Sequence, residues 1–118
     1  DVVVLLCDSI SKECEEAKKE FEIAQRMLSN HKNVDLVFID AEKKDYKKYF
    51  DLIFPNLRNG GIILIDNVLW SGKVVEEVAH NDYDTQAILA FNDYIQQYEG
   101  VINLTLPFRD GILMVEKI

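Results

Sequence analysis

The chain has 118 residues, 48% of them hydrophobic and 29% charged, with only 5 Gly and 2 Pro. That is the composition of one ordinary globular domain, large enough to bury about two-thirds of its unfolded surface. The 13 basic and 21 acidic residues leave a formal charge of −8, which repels phosphate backbones and disfavours nucleic acid as a general partner.

No apolar run approaches the roughly 20 residues needed to cross a bilayer, and the first residues lack a signal-peptide pattern. A cytoplasmic protein without a membrane partner is therefore expected. Cys7 and Cys14 have no histidine close to them in sequence and read as reduced core thiols, not as zinc ligands or a disulfide.

Val2 to Cys7 is an aliphatic run that ends at Asp8 and predicts a first strand. A helix follows, because Cys14, Ala17, Phe21, Ala24 and Leu28 recur at spacings of three and four with charged residues between them. Ser9 or Ser11 can cap it, and Ser29-Asn30-His31 ends it. Val34 to Ile39 predicts the next strand. A second helix is expected from about Lys43 to Leu57, burying Tyr46, Tyr49, Phe50, Ile53 and Leu57, with Pro55 making its last turn irregular.

Asn59-Gly60-Gly61 reads as a helix stop and turn before a strand over 61–65. Val68 to Asp84 is an irregular segment carrying Trp70, Gly72 and His80, and connections of that length usually have a function or move. A third helix spans about Asp84 to Glu99. The chain closes with strands at 101–106 and 112–115, joined through Asp110-Gly111, a hairpin signal. The expected fold is α/β: a mostly parallel βαβαβ sheet with a C-terminal antiparallel hairpin, in a single domain over 1–118.

The chemistry is written at two strand ends. Leu36-Val37-Phe38-Ile39 runs into Asp40, and Ile62-Ile63-Leu64-Ile65 runs into Asp66-Asn67. Short, wholly aliphatic strands are buried on both faces, as in parallel sheets, and open α/β sheets bind ligands at the carboxyl ends of such strands. Two carboxylates and an amide oxygen gathered there would suit a hard cation, with Lys43 beside them as a base. The competing reading makes each Asp or Asn a turn former or helix cap. Of the basic cluster Lys43, Lys44, Lys47 and Lys48, the last three read as a solvated helix face. His31 and His80 are assigned no chemical role. Neither a G-x-G-x-x-G run nor a phosphate-binding loop is present.

The segments Leu36 to Lys43, Asn59-Gly60-Gly61, Asp66 to Val74 and Leu106 to Gly111 together resemble the cation-dependent O-methyltransferases. That group includes the catechol and caffeoyl-coenzyme A enzymes, and the resemblance covers about residues 34–118. It implies a partial Rossmann-like methyltransferase sheet. It also implies magnesium (or manganese or calcium) on Asp40, Asp66 and Asn67, with Lys43 as the base. S-adenosylmethionine would be the methyl donor, bound with help from Asp8 and Asp40, and Trp70 would lie over a small phenolic or diol substrate. Trp70 reads equally well as a loop anchor packed on the surface.

Relatives commonly dimerise, and an exposed sheet edge favours a homodimer. The glycine-rich turn that approaches the cofactor in this class is missing, so part of the usual cofactor site is absent from this chain. Asp8 aligns either with the ribose carboxylate at the second strand of the family or with a position near the adenine at the third. Its plain alternative is a turn or cap residue. Two other readings compete: a non-catalytic α/β binding or dimerisation module, and a receiver-like or flavodoxin-like domain. The latter leaves Asp66-Asn67 and the closing hairpin unexplained.

Overall fold

A computed structural model describes residues 2–6, 14–31, 33–40, 43–107 and 109–118, with the backbone alone described over 2–6 and 14–21. Five strands form one sheet: β1 (Val2–Leu6), β2 (Val34–Asp40), β3 (Leu57–Asp66), β4 (Val101–Leu106) and β5 (Ile112–Lys117). Their spatial order is β1-β2-β3-β5-β4. β1, β2 and β3 are parallel, and β5 lies antiparallel between β3 and β4. The helices are α1 (Cys14–Asn30), α2 (Tyr46–Ile53) and α3 (Tyr83–Gln96). The expected mixed sheet is thus present, with its hairpin at one end. Among the described residues no helix is long and apolar enough to cross a membrane.

β1, β2 and β3 follow one another across the sheet in one direction. Right-handed crossovers therefore put α1 and α2 on the same face. There Val37 and Ile39 of β2, Ile63 and Ile65 of β3, and Leu113 and Val115 of β5 form one buried cluster with Ala24 and Leu28 of α1, four residues of α2, and Phe91 and Ile95 of α3. The α2 contribution is Tyr46, Tyr49, Phe50 and Ile53, all buried. Their spacing of three, four and seven is the stripe a helix needs to cover a sheet. Phe50 is the hub, with its ring centroid 5.3 Å from Phe54 and Tyr98, 6.1 Å from Tyr94 and 6.2 Å from Phe91. Those separations suit stacked and edge-to-face aromatic contact.

Three expectations are corrected. The second helix does not run from Lys43 to Leu57. A 3₁₀ turn occupies Lys43–Asp45, α2 covers only Tyr46–Ile53, and a second 3₁₀ turn holds Phe54–Asn56. Pro55 lacks an N–H and so cannot extend the α-helical ladder. Leu57 then opens β3, so Asn59-Gly60-Gly61 lies inside a strand and is not a helix stop. Its register against β2 shifts between the Val34 and Leu36 pairings, and Gly60 takes φ 79°. That irregularity in the ladder is what the glycines accommodate. Third, the segment after Asp66 is less irregular than expected, since Trp70–Val75 forms a kinked 3₁₀ turn. Cys7, Asp8, Ser9 and Ser11 lie outside the described residues.

Phe50 is fully buried at the centre of the aromatic cluster. Phe50→Ala is expected to cost about 3–5 kcal/mol of folding free energy, read as a shift of the urea unfolding midpoint at constant slope.

Candidate active site

Asp40 is the last residue of β2 and Asp66 the last of β3, so both carboxylates stand at the same end of neighbouring parallel strands. Directly after Asp66 the backbone bends: Asn67 takes φ 62°, and Trp70 and Ser71 take φ 48° and 54°. Left-handed conformations outside glycine are costly, about 1–3 kcal/mol each, and cluster where the surrounding structure holds them for a purpose. Here the hold comes from the β4–β5 hairpin. Leu69 N–H donates to the Asp110 carbonyl (2.9 Å), Val68 N–H donates to the Gly111 carbonyl (3.3 Å), and Ser71 N–H donates to Asp110 Oδ1. From the other side, Asn92 Nδ2 of α3 donates to the Val68 carbonyl (3.2 Å). Gly111 is required for this closeness: it takes φ 80°, and a Cβ there would collide with Leu69 Cγ.

Asp110 also fixes the Asn67 side chain. Asn67 Nδ2 donates to Asp110 Oδ2 (2.9 Å), leaving Asn67 Oδ1 to accept from Lys43 Nζ at 3.5 Å. Asp66 Oδ1 accepts from the Asn67 backbone N–H at 2.8 Å. Lys43 Nζ donates to the Tyr46 hydroxyl (2.6 Å), and that hydroxyl donates to the Asp66 backbone carbonyl (2.7 Å). The same ammonium lies 5.2 Å from the Trp70 ring centroid and 4.7 Å from that of Tyr46. Lys43, Asp66, Asn67 and Trp70, all singled out in the sequence, are therefore brought together. Asp40 stands within electrostatic range of Lys43. Asp8 falls outside the described residues.

Two ionisable groups are shifted. Burial pushes the Lys43 ammonium below its ordinary pKa, against the opposing pull of Asp40, Asp66, Asp110 and Asp84. Burial, and then the same first three carboxylates, push the Tyr46 phenol up. Tyr46 therefore remains protonated and serves as a constant donor to the end of β3. Sequence reasoning treated Tyr46 only as core and Asp110 only as a turn residue. Tyr46 lies three residues after Lys43, a spacing that puts helical side chains on one face, and this was the available signal. Asp110 gave no local signal, because it reaches Asn67 only when the hairpin folds back across the sheet.

The donor set of Asp40, Asp66 and the Asn67 amide oxygen is all oxygen, which fits a hard divalent cation and not a soft one. Asp110 would act behind it by orienting the amide. Among the described residues no group of three or more His, Cys, Asp or Glu side chains forms a ready-made metal centre; this set relies on an amide as its third member. Beside the site, a cavity of about 340 Å³ is lined by Lys43, Lys44, Lys47, Ala87, Phe91 and Tyr94, among others. It has an apolar floor from α3 and a basic rim.

The chain belongs to the O-methyltransferase family, which it matches over residues 8–118. It is 45% identical over 84 residues to a probable caffeoyl-CoA O-methyltransferase 1 of Dictyostelium discoideum, covering 71% of this chain and 36% of that protein. It is 33% identical over 104 residues to tricin synthase 2 of Oryza sativa subsp. japonica, covering 81% and 36%. Among solved structures it superimposes on an O-methyltransferase from Bacillus cereus in complex with SAH, with TM-score 0.74 and 21% identity, over 99% of this chain and 62% of that one. The last match shows the shared fold. The chain spans little more than a third of the length of these curated relatives.

Tyr46→Phe keeps the buried ring and removes the hydroxyl that links Lys43 to β3. It is expected to destabilise the fold by about 1–3 kcal/mol, because the Asp66 carbonyl loses its partner. Comparison of wild-type and variant urea melts checks this.

Proposed function

We propose that this chain carries the metal-binding and base-bearing part of a cation-dependent O-methyltransferase, which moves the methyl group of S-adenosylmethionine to a hydroxyl of a small phenolic or diol acceptor. The observation that carries the reading is the convergence of Lys43, Asn67, Asp66 and Trp70 at the ends of two parallel strands. The family membership and the caffeoyl-CoA and tricin names of its relatives support the acceptor class.

Asp40, Asp66 and Asn67 would hold the cation, magnesium, manganese or calcium, which when bound would lower the pKa of an adjacent acceptor hydroxyl. Burial lowers the pKa of Lys43 against the pull of the nearby carboxylates, which makes the neutral amine easier to reach. In that form Nζ takes the hydroxyl proton. The acceptor oxygen then bonds to the methyl carbon as the sulfur–methyl bond breaks, leaving the neutral thioether. Tyr46 steadies Nζ through the first step. Trp70 presents an aromatic face near the acceptor ring, and the basic-rimmed cavity beside Lys43 suits an aromatic acceptor with an anionic tail. The protein's contribution is mainly positioning, which can supply about 7–11 kcal/mol. Asp8 and Asp40 remain the residues proposed for the methyl donor.

The second reading is a binding or dimerisation module that keeps the site without a working cofactor half. Calorimetric titration of the chain with S-adenosylmethionine in the presence of magnesium separates the two. Micromolar binding supports the enzyme; a folded chain that binds none supports the module.

If the enzyme reading holds, Asp40→Ala abolishes metal-dependent turnover and leaves the far-ultraviolet spectrum unchanged. Lys43→Ala slows turnover, about 100-fold or more for loss of a general base, while metal affinity stays near wild type. Equal rates for Lys43→Ala and wild type across pH would remove Lys43 from the base role.

A further inference from the structure

Asp110 bonds the segment after β3 with its side chain as well as its backbone. Oδ2 accepts from Asn67 Nδ2 at 2.9 Å, Oδ1 accepts from the Ser71 backbone N–H, and the carbonyl accepts from Leu69 N–H at 2.9 Å. The paired carboxylate oxygens therefore lead into the site by different routes. Through Oδ2 the route runs to the Asn67 amide, whose Oδ1 lies 3.5 Å from Lys43 Nζ. Through Oδ1 it runs to Ser71, the residue after Trp70, and the half-buried Trp70 ring has its centroid 5.2 Å from the same nitrogen. Both routes end on Lys43, so Asp110, Asn67, Lys43, Trp70 and Ser71 close a ring.

We infer that Asp110 is a positioning residue that couples Asn67 to Trp70, so that the polarity of the amide and the placement of the indole are set together. Their use as cation ligand and as cover for the acceptor ring rests on the function proposed above; their linkage through Asp110 does not. Coupling of this kind is reciprocal: a change at Asn67 is felt at Trp70 by the same carboxylate through which a change at the turn is felt at Asn67.

The chemistry calls for a carboxylate at position 110. Asn67 Nδ2 and the Ser71 N–H are both donors, and a carboxylate offers each of them an oxygen, whereas an amide offers one oxygen and one donor group. The carboxylate only accepts and the Lys43 ammonium only donates. Between them they fix the Asn67 amide with Nδ2 toward the hairpin and Oδ1 toward the lysine; the reverse orientation would aim a donor at the ammonium. Hydrogen bonds to an ionised acceptor are roughly twice as strong as neutral ones. That strength suits a turn in which Asn67, Trp70 and Ser71 all take left-handed backbone, at φ 62°, 48° and 54°. If the carboxylate swings away from Asn67, Oδ1 leaves the Ser71 N–H with it, and the turn that aims Trp70 loses its anchor.

Trp70 is the only tryptophan of the chain, so its fluorescence reports the turn directly. The test begins on the metal-free 118-residue chain, with acrylamide quenching of that emission. Asp110→Ala should shift the emission to longer wavelength and raise the quenching constant. Asn67→Asp is the decisive variant. It keeps the side-chain shape, suits the left-handed backbone and leaves the Ser71 N–H untouched, yet sets a second carboxylate against Asp110. It should shift and expose Trp70 in the same direction; emission and quenching unchanged from wild type overturn the coupling. Far-ultraviolet dichroism establishes that each variant is folded, and Asn67→Asp decides alone if Asp110→Ala does not fold. The second measurement is titration with manganese, followed by the electron paramagnetic resonance of the free ion. Asp110→Ala should weaken binding about 10–100-fold, the usual loss when a residue that orients a ligand is removed. Asn92→Ala loosens the same segment at the Val68 carbonyl without touching the amide, and its affinity should stay near wild type. An equal loss in Asn92→Ala overturns the role of Asp110, because affinity would then follow the stiffness of the loop. A wild-type chain that binds no manganese removes the cation from the proposed function, and the metal-free quenching comparison then supports or overturns the coupling by itself.

Discussion

The hydroxyl of Tyr46 ties the site to the fold. It accepts from Lys43 Nζ and donates to the Asp66 carbonyl, so one buried oxygen joins the start of α2, the lysine and the end of β3. The ring beneath it belongs to the core and stacks edge-on to Phe91 of α3, with centroids 5.6 Å apart. Any movement of α2 against the sheet would therefore move the lysine as well. Burial of the ring keeps the phenol protonated, and a protonated phenol can both accept and donate. The arrangement needs an aromatic residue long enough to cross from the core to the strand end, with a polar tip.

A second tie runs through Asp110. The hairpin that carries it belongs to the far end of the chain, yet its carboxylate orients the Asn67 amide and its backbone carbonyl receives the Leu69 N–H. These bonds hold the loop after β3 in its left-handed turns. Gly111 makes room for Leu69 in that contact. The antiparallel hairpin is thus more than an extension of the sheet, since it supports the oxygen atoms on which metal binding would depend.

The same strands have two fates on their two faces. One side is sealed by three helices in a single aromatic and aliphatic core. The other carries a comparable aliphatic lining and no helix among the described residues. The aliphatic residues at consecutive positions of β2 and β3 give these strands apolar side chains on both sides, the pattern of parallel strands.

Much of this was legible from residue patterns. The apolar runs ending in Asp40 and Asp66, the three-and-four spacing of α1 and α3, the Asp110-Gly111 turn and the pairing of Asp40 with Lys43 are local signals. They determined the strands, the helices, the mixed sheet and most of the candidate site, because hydrophobic period and turn chemistry act over a few residues. Other features were decided only by tertiary structure. Asn59-Gly60-Gly61 reads as a helix stop, yet pairing with β2 draws it into β3. Asp110 becomes a partner of Asn67 only when residues 43 positions apart in sequence meet. Tyr46 looks like any core aromatic until its hydroxyl reaches the end of another strand. The sequence by itself could state that the central strands are apolar on both sides; only the three-dimensional packing, through right-handed crossovers that send the helices to one side, decided which face those helices bury.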